Sequence, residues 1–151
     1  MIGSKSILRS ALLMALLTIT HPLHAGEIED RNTANTVAFY EMVFNQHNVD
    51  GAITKFMGDE YIQHNPFAPD GIEGFRSAIT GWLKADPSIH ADIVRTIAQD
   101  DLVTLHVRST SAQGESAVID IFRLDADGKI VEHWDVSQPV PDQQAHDNTM
   151  F

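Results

Sequence analysis

Val118-Ile-Asp-Ile-Phe-Arg-Leu-Asp-Ala-Asp-Gly-Lys-Ile-Val-Glu-His-Trp-Asp135 decides the fold. β-Branched and aromatic residues flank the turn signal Asp125-Ala126-Asp127-Gly128, so the stretch reads as two antiparallel strands joined in a hairpin. Alternation assigns the faces: Val118, Asp120, Phe122 and Leu124 share one, and Ile119, Ile121 and Arg123 the other. On the second strand Ile130, Glu132, Trp134 and Val136 oppose His133 and Asp135. We expect Asp120, Phe122 and Trp134 together on the inner face, with Glu132 beside Trp134. A carboxylate on an apolar, aromatic face is costly unless it is used or paired. Asp120 is therefore a candidate general base in a small-molecule pocket. The alternative is a buried Asp that hydrogen-bonds a neighbouring strand or helix end.

Upstream of the hairpin, Ile89 to Ala98 and Leu102 to Ser111 also carry period-two patterning and read as strands. On the second of these, Thr104, His106 and Arg108 oppose Val103, Leu105 and Val107. Earlier still the period is helical. Asn35 to Gln46 forms an amphipathic helix with Asn32 or Thr33 as its cap, Val49 to Met57 a short second helix, and about Ile72 to Ala85 a third. Between them Tyr61 to His64 is a short extended piece, stopped because Pro66 keeps Asn65 out of the helical region. Helices first and an antiparallel meander last make an α+β fold. A strongly twisted sheet of four to six strands can curl around the long helix and leave a closed-ended pocket. Both faces of the Val118 strand are largely apolar, so the sheet is expected to be covered on each side by helices or another subunit.

The first 25 residues stand apart. Lys5 and Arg9 precede an apolar run from Ala11 to Ile19, and Leu23-His24-Ala25 offers a cleavage point before Gly26. The run is short of the roughly 20 residues that a membrane span needs. We read residues 1–25 as a secretory signal and 26–151 as one domain, exported to the periplasm or secreted, with no stable membrane insertion after cleavage. An uncleaved N-terminal anchor is the alternative.

The formal net charge is −11, and loss of the basic leader makes the remainder more acidic. Such a surface repels phosphate backbones, so nucleic acid is not an expected partner. There is no cysteine, which excludes disulfides and thiolate chemistry within the chain. With 43% hydrophobic residues the domain can rely on its core instead.

Further candidates surround Asp120. His106 on the adjacent strand can sit beside it and hold it ionised. His64, at a strand end before a forced turn, is placed as positioned functional groups often are; a surface histidine bonding the turn backbone is the alternative. Tyr40, Phe75 and Trp82 recur at helical spacing as core or pocket wall. A metal set of His64, His106, Asp120 and Glu132 is weakly suggested, because no paired ligand spacing supports it. No Gly-x-Ser-x-Gly elbow occurs.

Taken jointly, Tyr61-Ile-Gln-His-Asn-Pro66, Asp101-Leu-Val-Thr-Leu-His106, Asp120-Ile-Phe-Arg123, Glu132-His-Trp-Asp135 and the ending Asn148-Thr-Met-Phe151 resemble the SnoaL-like proteins of the nuclear-transport-factor-2-like superfamily, in the branch named for aldol condensation. The resemblance runs from about Asn35 to Phe151. It implies a cone-shaped, curved, mostly antiparallel sheet wrapped around N-terminal helices, and a homodimer formed through the outer sheet face. Polyketide cyclases of this family use an aspartate as acid/base in an intramolecular aldol closure. Asp120 falls where that aspartate is expected, with His106 and His64 as polar partners lining the cavity. Phe122, Trp134, Glu132, Tyr40, Phe75 and Trp82 become the substrate-facing set, and no metal or organic cofactor is implied.

The expected function is thus a cofactor-independent acid/base enzyme acting on a small apolar carbonyl compound, by aldol-type cyclisation or isomerisation. An exported, non-catalytic binding module for an apolar molecule is the first alternative, and an interaction subunit using the outer sheet face the second.

Overall fold

The computed structural model describes residues 25–151. The leader expected over residues 1–25 lies outside them, Ala25 excepted. Three helices, α1 (Ala25–Phe44), α2 (Val49–Phe56) and α3 (Gly71–Ala85), accompany five strands: β1 (Met57–Gln63), β2 (His90–Gln99), β3 (Leu102–Ser111), β4 (Gly114–Leu124) and β5 (Ile130–Pro139). They form one mixed sheet in the order β1-β5-β4-β3-β2. β1 runs parallel to β5, and the other pairs are antiparallel. This is the α+β arrangement expected. Pairing of the first strand with the last brings Gln63 alongside His133, residues far apart in the chain.

Local chemistry sets the element ends. The Asn48 side chain accepts a hydrogen bond from Gly51 N–H at 3.1 Å and caps α2. Asp86 closes α3, and its Oδ2 accepts from Ala112 N–H at 2.8 Å, tying the helix end to the β3–β4 turn. Before α3, Pro69 packs so tightly on Gly74 that a Cβ there would sit 2.2 Å from the Pro69 carbonyl oxygen. Glycine alone permits this contact, which seats the 64–70 loop against the helix.

The core lies between α1 and the inner sheet face. Phe39, Val43, Val103, Leu105, Val107 and Phe122 are buried there, with the Phe39 and Phe122 rings edge-to-face at 5.9 Å. Each such side chain contributes about 1.5–3 kcal/mol by leaving water.

Three expectations on element ends are corrected. α1 spans Ala25–Phe44 and so extends well upstream of Asn35, and Asn32 is a buried mid-helix residue whose Oδ1 accepts from Arg31 instead of capping. β1 begins at Met57, four residues before Tyr61, because Met57 pairs with Ile130. α2 stops at Phe56.

A fourth correction reaches the site. Leu124 pairs with Ile130 but Arg123 pairs with Glu132, leaving Val131 as an extra residue. This bulge lets Ile130 and His133 both point inward. The parity expected along β5 is right from Glu132 onward, but its phase is inverted: His133 and Asp135 face the interior, and Glu132 and Trp134 the exterior. The outer face also carries Ile97 and Val136, 64% and 69% exposed. Within one chain, therefore, the sheet is not covered equally on its two sides.

Candidate active site

A cavity of about 340 Å³ lies between the helices and the inner sheet face. Phe39, Phe75, Ile79 and Phe122 supply apolar wall, and Ser111, Gln113, Ser137 and Trp82 stand toward the open end. Asp120 and His133 meet on the inner wall, 5% and 8% exposed. His133 Nε2 is 3.0 Å from Asp120 Oδ1, and the Tyr40 hydroxyl donates to Asp120 Oδ2 at 2.9 Å. Burial, followed by the neighbouring Asp120 charge, pushes the Tyr40 hydroxyl well above its ordinary value, so it remains a donor.

Backbone geometry fixes the direction of the hydrogen bonds behind His133. Asn65 N–H donates to Gln63 Oε1 at 2.9 Å, which identifies that atom as the amide oxygen. His133 Nδ1 lies 2.9 Å from the same oxygen and must donate to it. Gln63 Nε2 in turn donates to the Tyr61 hydroxyl at 3.2 Å. With Nδ1 protonated, a neutral His133 would present a bare Nε2 to the Asp120 carboxylate, acceptor against acceptor. The 3.0 Å contact therefore contains a proton. The two form a buried, hydrogen-bonded pair.

Asp135 is the direct cross-strand partner of Asp120 and also lines the cavity. Asn65 Oδ1 accepts from Phe67 N–H at 2.7 Å, so its Nδ2 is the atom that donates to Asp135 Oδ2 at 2.8 Å. Asp135 Oδ1 is buried without a partner. Burial lifts the Asp135 carboxyl above its ordinary value; His133 and the Asn65 hydrogen bond oppose this, and the Asp120 charge reinforces it.

The structure brings together Asp120, Phe122, Tyr40, Phe75 and Trp82 of the expected set, all at the cavity. It does not bring in His106, His64, Trp134 or Glu132. His106 lies on the outer face, bonded through Nδ1 to Arg95 and stacked on Phe151 at 5.8 Å. It alternates along β3 with the buried Leu105 and Val107, which places it across the sheet from Asp120. His64 stacks on Trp134 at 4.8 Å and its Nε2 lies 2.9 Å from Glu132 Oε1. Arg123 bonds Glu132 at 2.8 Å and Asp101 at 2.6 Å, completing a polar cluster on the outer face. The Arg123 hydrogen bond, followed by that of His64, holds the Glu132 carboxyl below its ordinary value. The four residues weighed as a metal set therefore lie on opposite sides of the sheet.

His133, Gln63, Asn65 and Asp135 are the site residues that sequence reasoning missed. Arg123 and Glu132 carried a usable signal. Opposite charges favour direct cross-strand positions, and that register alone turns His133 inward.

Residues 36–133 match the SnoaL-like domain, and the chain belongs to that family. Among curated proteins nothing matches. Several solved structures share the fold. A candidate polyketide cyclase from Bacillus cereus is 22% identical, with a TM-score of 0.65 over 83% of this chain and 91% of its own. A candidate SnoaL-like polyketide cyclase from Jannaschia is 19% identical, with a TM-score of 0.64 over 73% and 87%. A SnoaL-like protein of unknown function from Burkholderia thailandensis is 16% identical, with a TM-score of 0.61 over 73% and 96%. These likenesses establish the nuclear-transport-factor-2-like fold.

Proposed function

We propose that this protein is a cofactor-independent acid/base catalyst acting on a small apolar carbonyl compound, with Asp120 as the base. One observation carries the reading: a carboxyl group on an aromatic-walled cavity, hydrogen-bonded to a buried imidazole at 3.0 Å and a tyrosine hydroxyl at 2.9 Å. Each Asp120 oxygen accepts one hydrogen bond and keeps a lone pair for a substrate proton. A bound ketone presents its α-carbon to Asp120. The C–H bond breaks, the proton passes to Asp120, and the electron pair becomes an enolate. That carbon then attacks a second carbonyl, whose oxygen takes the proton from Asp120 as the C–C bond forms, or Asp120 returns the proton to a conjugated carbon of the enolate. General acid–base catalysis supplies about 10²–10⁴-fold, which suits a carbon acid already activated by its carbonyl.

Residues 1–25 as an export signal, and a homodimer through the outer sheet face, belong to the same proposal; the exposed Ile97 and Val136 support the second.

The probe is 2-tetralone, a fused bicyclic ketone, incubated with the protein in deuterated water. Enzyme-dependent incorporation of deuterium at the α-carbons supports catalysis. Binding seen as a thermal shift, with no incorporation, replaces it by the binding module.

A further inference from the structure

We propose that Asp135 is a second catalytic residue, passing a proton to the substrate's oxygen while Asp120 removes the α-proton. The inference rests on the acid/base reading above and completes its chemistry.

Three observations on Asp135 converge. It stands directly across from Asp120 on the same inner wall, so an α-carbon at one carboxyl brings the adjacent oxygen toward the other. Its Oδ2 is held by Asn65 Nδ2, whose orientation is fixed in turn by Phe67 N–H. Its Oδ1 is buried and has no partner in the protein, and the residue itself lines the cavity. A buried polar atom left unpaired is costly, and an oxygen of a bound substrate is a group that would satisfy it.

The surroundings favour the protonated form. Asp120 on β4, His133 on β5, Tyr40 on α1, Tyr61 on β1 and Asn65 in the following loop are the groups facing it. Burial and the Asp120 charge raise the Asp135 carboxyl, and a ligand that displaces water from the cavity raises it further. Two carboxyls on one wall with different hydrogen-bond partners can divide into a base and an acid.

The step balances within the site. The Cα–H proton goes to Asp120, the C–H electrons form C=C, and the carbonyl oxygen takes the Asp135 proton to give an enol. When the enol carbon attacks the second carbonyl, the enol proton returns to Asp135 and the Asp120 proton goes to the new alkoxide. The substrate class follows: a ketone that enolises, with an oxygen one bond from the reacting carbon and an apolar body for the aromatic wall.

Two measurements test this. For deuterium exchange into 2-tetralone, Asp135→Asn keeps the Asn65 hydrogen bond but cannot act as an acid. We expect a fall of about tenfold or more in the turnover rate, an unchanged Kd, and loss of the decline that wild type shows as rising pH deprotonates Asp135. An unaltered rate and pH profile overturns the assignment. The second measurement needs no turnover: 2-naphthol, an enol mimic, is compared with 2-fluoronaphthalene, which has the same shape and no hydroxyl. Wild type and Asp120→Asn are expected to prefer the naphthol by about tenfold, and Asp135→Ala to lose the preference. A preference absent from wild type, or retained in Asp135→Ala, overturns the proposal. Should wild type not exchange protons while the preference still depends on Asp135, the base assignment fails and the contact of Asp135 with the substrate oxygen stands.

Discussion

His133 Nε2 lies 3.0 Å from Asp120 Oδ1 while its Nδ1 is committed to Gln63 Oε1. That relationship forces a proton between the two buried groups. Either alone would be expensive to desolvate; together, with Tyr40 and Gln63 behind them, they leave no bare charge in the apolar cavity. A base held this way remains ready without bulk water.

Gln63 is the anchor of that arrangement, itself fixed where Asp70 Oδ1 accepts from its backbone N–H at 2.8 Å. Gln63→Leu strands His133 Nδ1–H and Asn65 N–H, and should cost about 1–3 kcal/mol by chemical denaturation. It should also slow α-proton exchange, whereas Gln63→Glu, which still accepts both bonds, should restore stability.

The two tryptophans report opposite sides of the sheet. Trp82 lines the cavity and Trp134 stacks on His64 outside it. Binding of 2-naphthol should change the protein's tryptophan fluorescence in Trp134→Phe and leave it unchanged in Trp82→Phe. The reverse pattern would put Trp134 in the pocket after all.

Glu132 predicts an acid-side loss of stability. Its carboxyl is lowered in the fold, first by Arg123 and then by His64, so its contribution is present above the unfolded value of 4.5 and fades as pH falls through the folded value. The difference in Tm between wild type and Glu132→Gln should be largest near neutral pH and close as the solution is acidified below that range.

The helices and strands were legible because their periodicity is strong: β3 spans Leu102–Ser111 as the alternation requires, and α3 ends at Asp86-Pro87. Asp120 and Phe122 were legible for the same reason, lying on a strand with unbroken alternation. The partner of Asp120 was not. A single bulged residue, Val131, shifts β5 by one position and exchanges the faces of His133 and Trp134. Gln63 and Asn65 were out of reach for another reason. Their placement depends on the parallel pairing of β1 with β5, which no local pattern in Tyr61 to Pro66 encodes. The upstream part of α1 was missed because its turns there, Glu27-Ile-Glu-Asp30, bury little and so carry no apolar stripe.

The most direct test of the account compares deuterium incorporation into 2-tetralone by wild type and Asp120→Asn, each saturated with ligand at neutral pH. Asparagine keeps the size of the side chain and removes the base. The account predicts a loss of about 10²–10⁴-fold in rate with the Kd for 2-tetralone little changed. Equal rates in the two proteins would contradict it.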